Sequence, residues 1–260
     1  MKNIKRVMVY IITVCCLLIF SACGKKTSTT ITLVPNIGDV IGAKVTLKNN
    51  RNKSHVYDQT AMGTTVDFKS VVPGSYTLTV EHHGVLTFTQ GDVTVHNTVA
   101  GFTANLIIKG PAGGYVFYDK GSVTGGWRYL EAAPSDEGSA EWGAYGIYVP
   151  GTSTDLGTGK ANTQAIISQL QQLGENGRAA QLCVNKTLNG FSDWFLPSKD
   201  ELNEMYKTRN TIGGFSNAYY WSSSQYDESD YGVWYQDFKD DGKNATSKDV
   251  TQRVRAVRAF

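Results

Sequence analysis

The chain has 260 residues, of which 41% are hydrophobic and 18% are charged, a composition typical of a globular protein with room for two modest domains. The formal net charge is +2, and the basic residues of the first 22 positions account for it. Residues 110–260 hold 14 basic and 18 acidic residues. This mildly acidic C-terminal part argues against nucleic acid as a ligand.

The N-terminus has the pattern of an export signal. Lys2, Lys5 and Arg6 precede an uninterrupted apolar stretch at residues 7–20. That stretch is short for a membrane span, which needs about 20 residues. The pattern predicts that residues 1–22 are a signal peptide and that the protein works in the cell envelope.

A lipidation signal follows the apolar stretch. The sequence Ser21-Ala22-Cys23 resembles a bacterial lipobox, although Phe20 stands where leucine is usual. The resemblance implies that Cys23 is lipidated and that the protein is anchored in the outer membrane or at the cell surface. Residues 23–30 would then be the lipidated cysteine and a polar tether. An ordinary signal peptide, or an uncleaved anchor, is the alternative.

The remaining cysteines favour a chain without disulfides. Cys15 and Cys16 would leave with the signal peptide, and Cys23 would be blocked, so Cys183 alone would remain. Its apolar neighbours predict a small buried hydrophobic residue. A catalytic thiol is the alternative, but residues 97–260 contain no histidine to activate it.

Residues 31–108 have the alternating pattern of short β-strands separated by turn sequences, which predicts an all-β sandwich domain. Within it, residues 71–80 resemble the strand–turn signature of carboxypeptidase-regulatory-like (prealbumin-like) sandwiches. The resemblance implies a stalk or spacer. Adjacent His82 and His83 would point to opposite faces of a strand, so we expect no metal site at this pair. No cofactor is expected in the rest of the chain.

Residues 109–114 are rich in glycine and predict the joint between two domains. All five tryptophans and 11 of the 14 tyrosines follow it. Asn162 is expected to cap a helix over 163–173 that ends at Gly174, with a short helical continuation over 178–184.

Ser198 and Glu201 form a capping-box pattern that opens a helix over 199–209. Alternating segments favour an irregular, mostly antiparallel sheet beside these helices. The predicted strands are residues 114–118, 127–131, 218–223, 232–238 and 253–260.

Five sequence blocks in this second half resemble the Lcl C-terminal domain of bacterial surface proteins. They lie at residues 110–120, 126–134, 193–202, 220–224 and 253–258. The resemblance spans residues 110–260 and implies a C-type-lectin-like fold of the formylglycine-generating-enzyme subtype. Some members bind sulfated polysaccharides, and others resemble retroelement-diversified variable proteins. The expected fold class is an all-β sandwich domain followed by an α+β C-type-lectin-like domain.

Three of these blocks are interpreted as structural. The apolar side chains of the blocks at 193–202 and 220–224 are expected in the core, namely Trp194, Phe195, Leu196 and Trp221. Arg253 and Arg255 would share one face of the last strand. They could line an anionic-ligand groove, but pairing with internal carboxylates such as Asp193, Asp200 or Glu201 is preferred.

The segment at residues 225–248 has the composition of a ligand-binding surface. Aromatic side chains alternate there with Asp, Ser, Asn and Lys, as in antibody paratopes. The candidate ligand-binding residues are Tyr226, Asp227, Asp230, Tyr231, Trp234, Tyr235, Asp237, Lys239, Asp241 and Asn244. A solvated hairpin with Trp234 turned inward is the alternative.

The sequence from Asp237 onward does not match a calcium-binding loop, because Lys239 and Lys248 occupy positions that need oxygen ligands. A calcium site at Asp227, Glu228 and Asp230 stays open. No metal is assigned.

The sequence therefore predicts a surface-exposed lipoprotein that is not an enzyme. It would bind a carbohydrate, such as a sulfated polysaccharide, or a cell-surface protein, and a retroelement-diversified variable protein is a variant of this prediction. A structural envelope lipoprotein without a small ligand is the first alternative. An oxidase of the formylglycine-generating type is the second, although Cys183 is the one cysteine left to serve it.

Overall fold

The computed structural model describes residues 26–35, 40–82, 86–96, 100–227 and 229–260. The predicted signal peptide, Cys23 and His83 lie outside these residues. The first half consists of two sheets, with strand orders β4-β1-β7 and β3-β2-β5-β6. The strands are β1 (Thr27–Pro35), β2 (Lys44–Asn49), β3 (Val56–Thr60), β4 (Thr65–Val71), β5 (Gly74–His82), β6 (Leu86–Val95) and β7 (Ala100–Leu106).

The predicted all-β character of this half is confirmed. In β1 and β2 alternate residues are buried, such as Ile31, Leu33, Val45 and Leu47, because alternate side chains face the same core. One expectation is corrected at the N-terminal end. Strand β1 begins at Thr27, within the segment expected to be a polar tether to residue 30.

The second half combines strands with helices and forms a five-stranded sheet, β10-β14-β11-β12-β13, and a three-stranded sheet, β15-β9-β8. None of the helices in the described part of the chain is long and apolar enough to cross a membrane. The elements are β8 (Tyr115–Thr124), β9 (Trp127–Ala132), β10 (Gly138–Glu141), α1 (Gly159–Leu173), α2 (Ala179–Val184), α3 (Lys199–Lys207), α4 (Arg209–Ile212), β11 (Tyr219–Gln225), β12 (Gly232–Asp237), β13 (Lys243–Ser247), β14 (Thr251–Val254) and β15 (Val257–Ala259).

The two halves share a hydrophobic core. Val116 of β8 and Tyr129 of β9 are buried in the cluster that fills the sandwich, and Phe260 packs against the same cluster. The glycine-rich joint is also packed. Gly114 donates its backbone N–H to the buried Glu131 carboxylate at 3.1 Å, and a Cβ there would lie 2.5 Å from a backbone oxygen. The joint is therefore a tight turn around a buried acid.

Helix α1 starts earlier than predicted. It begins at Gly159 after Thr158, and Gly174 ends it in the left-handed conformation, as expected. Asn162 does not cap it. The Asn162 side chain is buried and accepts from Ser153 N at 2.9 Å, since it serves to hold the preceding loop.

Helix α3 confirms the capping box. Ser198 accepts from Glu201 N at 3.2 Å, and the Glu201 carboxylate accepts from Ser198 N at 2.8 Å. The helix ends at Lys207, and a separate turn, α4, follows it to Ile212. Cys183 of α2 is fully buried, as expected.

The final segment, expected as one strand, is two short strands that meet at Arg255 and Ala256. The arginines there are structural, as preferred from the sequence. Arg255 pairs with Asp136 at 2.7 Å, and Arg258 pairs with Glu131 at 2.8 Å and with Asp193. Asp136 and Glu131 were not among the expected partners, because they lie more than 100 residues away in sequence.

Strand β11 explains the Tyr-Trp-Ser-Ser-Ser block. Trp221 donates its indole N–H to Ala140 O at 2.8 Å and lies in the core with Trp194, Phe195 and Leu196, as predicted. The three serines are buried and bonded: Ser222 donates to Trp234 O, and Ser224 donates to Ser153 O. This block therefore builds the fold and presents no free hydroxyl to a ligand.

Candidate functional site

Four exposed tyrosines lie on two loops at one end of the five-stranded sheet. Tyr145 and Tyr231 are each 54% exposed, and Tyr148 and Tyr226 are each 40% exposed. Exposed aromatic rings bury large areas on binding at little cost in conformational entropy, and they mark binding surfaces. We call Tyr145, Tyr148, Tyr226 and Tyr231 the tyrosine surface.

Two buried polar residues fix the loops that carry the tyrosine surface. The Gln225 side chain accepts from Val149 N at 3.0 Å and donates to Ser229 O at 2.6 Å. The Lys248 ammonium donates to Ile147 O at 2.6 Å and to the Gln225 side chain at 2.9 Å. The loop at residues 142–150 is therefore held against the loop at residues 226–231 from below.

Lys248 is fully buried and has no ion pair among the described residues. Removal from water lowers the pKa of Lys248 to about 8, and the nearby negative charge of Asp230 opposes this effect. The ammonium also lies 5.0 Å from the ring centroid of Trp142. A buried charge held in this way is costly, so its three contacts indicate that the loop arrangement depends on it.

Contacts between aromatic rings also hold the exposed tyrosines in place. Tyr145 and Tyr231 form an edge-to-face pair with centroids 5.2 Å apart. Tyr226 forms a similar pair with the half-buried Trp234 at 5.1 Å. The ammonium of Lys199, at the start of α3, lies 3.6 Å from the centroid of the Trp234 ring. Trp234 therefore supports Tyr226 and is partly covered by a lysine.

The described residues on either side of position 228 have a defined conformation. Ser229 Oγ accepts from Gly232 N at 2.9 Å and from Tyr231 N at 3.2 Å. Asp227 adopts a left-handed conformation with φ of 44°, which aspartate tolerates better than most residues. The exposed side chains are thus presented on a folded turn.

The charged residues in the two loop segments themselves are all acidic. Residues 143–158 and 225–231 contain Asp155, Asp227, Glu228 and Asp230 and no lysine or arginine, while Lys199 and Lys248 approach the tyrosine surface from other elements. Asp227 and Asp230 are exposed, and neither has an ion pair among the residues that the structure describes. The surface is therefore aromatic and acidic.

The ten candidate residues fall into two groups at opposite ends of β12. Tyr226, Asp227, Asp230, Tyr231 and Trp234 lie at or beside the tyrosine surface. Tyr235, Asp237, Lys239, Asp241 and Asn244 lie toward or around the far hairpin turn. Strand β12 spans about 20 Å at roughly 3.3 Å per residue, so one small ligand would not contact both groups.

The far group has partners within the fold. Tyr235 stacks edge-to-face on Tyr219 at 5.0 Å, on the sheet face opposite to Trp234. Asp237 accepts from Lys239 N at 2.8 Å, and Asp241 accepts from the Gln236 side chain at 2.7 Å. These contacts order the β12–β13 turn.

Tyr145, Tyr148, Lys199 and Lys248 were missed from the sequence. A signal was present for the first two, because two tyrosines lie close together in a glycine-containing segment without charges at residues 142–154. Lys248 carried no such signal. Its role depends on contacts with Ile147, about 100 positions away.

The described residues contain no group of three or more His, Cys, Asp or Glu side chains that could hold a metal ion. Glu228 lies outside them, so the calcium site suggested for Asp227, Glu228 and Asp230 stays untested. His82 and His83 are also beyond what the structure describes in side-chain detail.

The chemistry of Cys183 opposes a reactive thiol. Burial raises the pKa of Cys183 well above its usual value, and the nearby Glu137 adds to this effect while Lys186 opposes it. A thiol in this environment stays protonated, so it is a poor nucleophile.

Comparisons with known proteins add a family for part of the chain. No curated protein matches it. Three solved structures show weak similarity. A candidate carbohydrate-binding protein from Bacteroides uniformis has 13% sequence identity and a TM-score of 0.27, and a DUF4876 family protein from Bacteroides thetaiotaomicron has the same two values. A type II cohesin–X–dockerin complex from Acetivibrio cellulolyticus has 15% sequence identity and a TM-score of 0.24.

In the same order, these alignments cover 33%, 52% and 32% of this chain, and 43%, 41% and 58% of the three structures. The chain thus spans less than two thirds of each of them. Similarity at this level is too low to assign a function. A family model matches the segment that contains the tyrosine surface. Residues 142–258 match the model of the Lcl C-terminal domain family, which supports the family predicted for the C-terminal half.

Proposed function

We propose that the protein is a lipoprotein of the cell envelope that binds its ligand at the tyrosine surface. The single observation that carries the proposal is that four exposed tyrosines lie on two loops fixed from below by Gln225 and Lys248. A preorganised surface loses little entropy on binding. The match to the Lcl C-terminal domain over residues 142–258 supports the same half of the chain as the binding part.

The rest of the chain has a supporting role in this proposal. Cys23 would carry the lipid anchor, and the sandwich of β1–β7 would act as the spacer that lifts the tyrosine surface away from the membrane. The C-terminal half would adopt a C-type-lectin-like fold. A retroelement-diversified surface is a variant of this proposal, and a near-repeat of the DNA encoding the last forty or so residues would distinguish it.

A catalytic function is the weaker candidate. An oxidase of the formylglycine-generating type needs reactive cysteines, and Cys183 is buried with a raised pKa. A structural envelope protein without a small ligand is the other candidate. It is less consistent with tyrosines left exposed on ordered loops.

The proposal is tested by screening the purified protein against arrays of neutral and sulfated glycans and of envelope proteins, with calcium and with chelator. We expect binding that Tyr231→Ala and Tyr226→Ala reduce at least tenfold, since central tyrosines often contribute 2 kcal/mol or more. Tyr219→Ala is the matched control, because Tyr219 is 47% exposed and stacked at 5.0 Å but lies outside the tyrosine surface.

A hit that both tyrosine-surface variants leave unchanged, in samples with wild-type unfolding midpoints, would place the binding site elsewhere. Silence from the whole array would favour a purely structural role.

A further inference from the structure

The acidic residues beside the tyrosine surface indicate the charge of its ligand, an inference that rests on the proposed binding function. The loops at residues 143–158 and 225–231 carry four acidic residues and no basic residue. The exposed acids Asp227 and Asp230 lie between Tyr226 and Tyr231 in the β11–β12 turn, and neither forms an ion pair with a lysine or arginine of the described chain, although the charge of Asp230 acts on the buried Lys248 ammonium. Exposed acids without an ion pair repel anions and attract cations.

The lysines nearest to this surface do not reverse its sign. Lys248 is buried beneath the loops, and its ammonium donates to Ile147 O and to the Gln225 side chain inside the fold. Lys199 is half-buried and lies over the ring of Trp234 at 3.6 Å. The exposed charged groups among the described residues of the two loops are therefore the carboxylates of Asp155, Asp227 and Asp230.

The aromatic rings also favour a positively charged ligand. A tyrosine ring has a negative face that attracts ammonium and guanidinium groups, and arginine is enriched with tyrosine at protein interfaces. Tyr145, Tyr148, Tyr226 and Tyr231 expose such rings on ordered loops, beside free carboxylates. Rings and carboxylates together match a side chain that is both cationic and able to stack, which describes arginine and, less well, lysine.

We propose that the tyrosine surface binds a lysine- and arginine-rich segment of a partner protein. The basic side chains would stack on the tyrosines and pair with Asp227 and Asp230. A sulfated polysaccharide would be repelled by the same acids, because like charges brought together without compensation weaken binding.

The test uses three fluorescein-labelled twelve-residue peptides of identical length, in which alternate positions are Arg, Gln or Glu, together with a neutral glycan array and heparin. The readout is fluorescence anisotropy with the full chain in detergent at 50 and 300 mM salt. We expect the Arg peptide to bind and the Gln and Glu peptides and heparin to bind at least tenfold more weakly. Binding of the Arg peptide should weaken with salt.

Variants locate the binding. Asp227→Asn with Asp230→Asn should weaken the Arg peptide about tenfold, and asparagine preserves the left-handed conformation of residue 227. Tyr231→Ala should have a similar effect. Asp240→Asn is the matched control, because Asp240 is an exposed acid of the far β12–β13 turn whose capping oxygen an amide retains. Unfolding midpoints in urea verify that every variant is folded.

Three outcomes would overturn this proposal. Arg-peptide binding that neither variant weakens would be nonspecific attraction to another acidic region. Absence of peptide binding by folded protein would exclude a basic segment. A neutral glycan or heparin bound at the tyrosine surface, with loss in Tyr231→Ala, would also exclude the basic ligand while preserving the proposed binding function. If neither peptide nor array ligand binds, the binding function itself fails.

Discussion

Glu201 is a single buried carboxyl group that joins two segments of the second half. It accepts from Ser198 N at 2.8 Å and from Gly157 N at 2.9 Å, and Gly159 N lies at 3.4 Å. Burial raises the pKa of Glu201 to about 7, and these backbone donors oppose the shift. The carboxyl group therefore connects the start of α1 to the start of α3. The free-energy cost of burying it is higher when it is ionised.

Replacing Glu201 by Gln should change the pH dependence of stability. Between about pH 4.5 and 7 the folded state keeps a proton on Glu201 that the unfolded state has lost, so the stability linked to this proton is present at low pH and is lost as pH rises through 7. Wild-type protein should lose on the order of 2–3 kcal/mol relative to Glu201→Gln across this range. Urea unfolding at several pH values measures it.

Glu204→Gln is the control for this measurement, because Glu204 lies in the same helix but pairs with the exposed Lys207. Parallel stability curves for wild type and Glu201→Gln between pH 4.5 and 7.5 would contradict the raised pKa.

Gly159 is the second residue on which this junction depends. A Cβ there would lie 2.1 Å from Glu201 Oε2 and 2.9 Å from Ser198 N. Helix propensity alone favours alanine by about 1 kcal/mol at a helical position. Close packing against backbone should outweigh this gain, since overpacking costs about 1–3 kcal/mol and here also displaces a hydrogen-bonded carboxylate.

We therefore expect Gly159→Ala to destabilise the protein by about 2 kcal/mol, measured as the change in the free energy of unfolding in urea. Gly63→Ala is the matched control, because a Cβ at Gly63 has no atom within 4 Å. An unchanged or higher stability for Gly159→Ala would mean that the contact is relieved by a small movement of α3.

At the scale of elements, the consecutive strands β14 and β15, which lie in different sheets, close the second half through buried arginines. The Arg255 guanidinium is fully buried and donates to Asp136 at 2.7 Å, to Ala133 O at 2.9 Å and to Gly214 O at 2.6 Å. It thus connects the last strands to the segment before β10 and to the segment after α4. The break between β14 and β15 turns this side chain inward.

Arg255→Met should destabilise the protein by about 3 kcal/mol, because the Asp136 carboxylate, whose side chain is 12% exposed, would lose its nearest cation and the Ala133 and Gly214 carbonyls would lose donors. Arg253→Met is the matched control. Arg253 is 43% exposed and lies 3.9 Å from the same Asp136, so its loss should cost less than about 1 kcal/mol. Equal losses in urea unfolding would contradict the structural reading of Arg255.

At the scale of the whole molecule, the sandwich and the second half share core residues Val116 and Tyr129. All five tryptophans lie after residue 126, so their fluorescence reports on the second half alone. Phe68 of β4 is buried inside the sandwich. A truncation there tests whether the two halves unfold together.

Phe68→Ala should remove about 3–5 kcal/mol of stability and lower the denaturant midpoint seen by tryptophan fluorescence as well as by circular dichroism. The shared core is the reason, since loss of the sandwich would expose Val116 and Tyr129. A tryptophan midpoint unchanged from wild type, beside a lowered circular-dichroism midpoint, would show that the halves unfold independently. Met62→Ala, at an 83% exposed residue, is the control.

The sequence by itself determined those features that depend on near neighbours along the chain. Alternation predicted the sandwich strands, the Ser198–Glu201 spacing predicted the start of α3, and Gly174 predicted the end of α1. Apolar context likewise placed Trp221 and Cys183 in the core. These features follow from backbone periodicity, helix ends and burial, which act over a few residues.

Tertiary structure decided which of the aromatic residues meet. It separated Tyr235 from Tyr231 by pairing Tyr235 with Tyr219 within the sheet, and it brought the Tyr145 ring centroid within 5.2 Å of that of Tyr231. It also placed Lys248 beneath Ile147. The physical reason is that these contacts join residues up to about 100 positions apart, and only chain packing decides which distant loops share a surface.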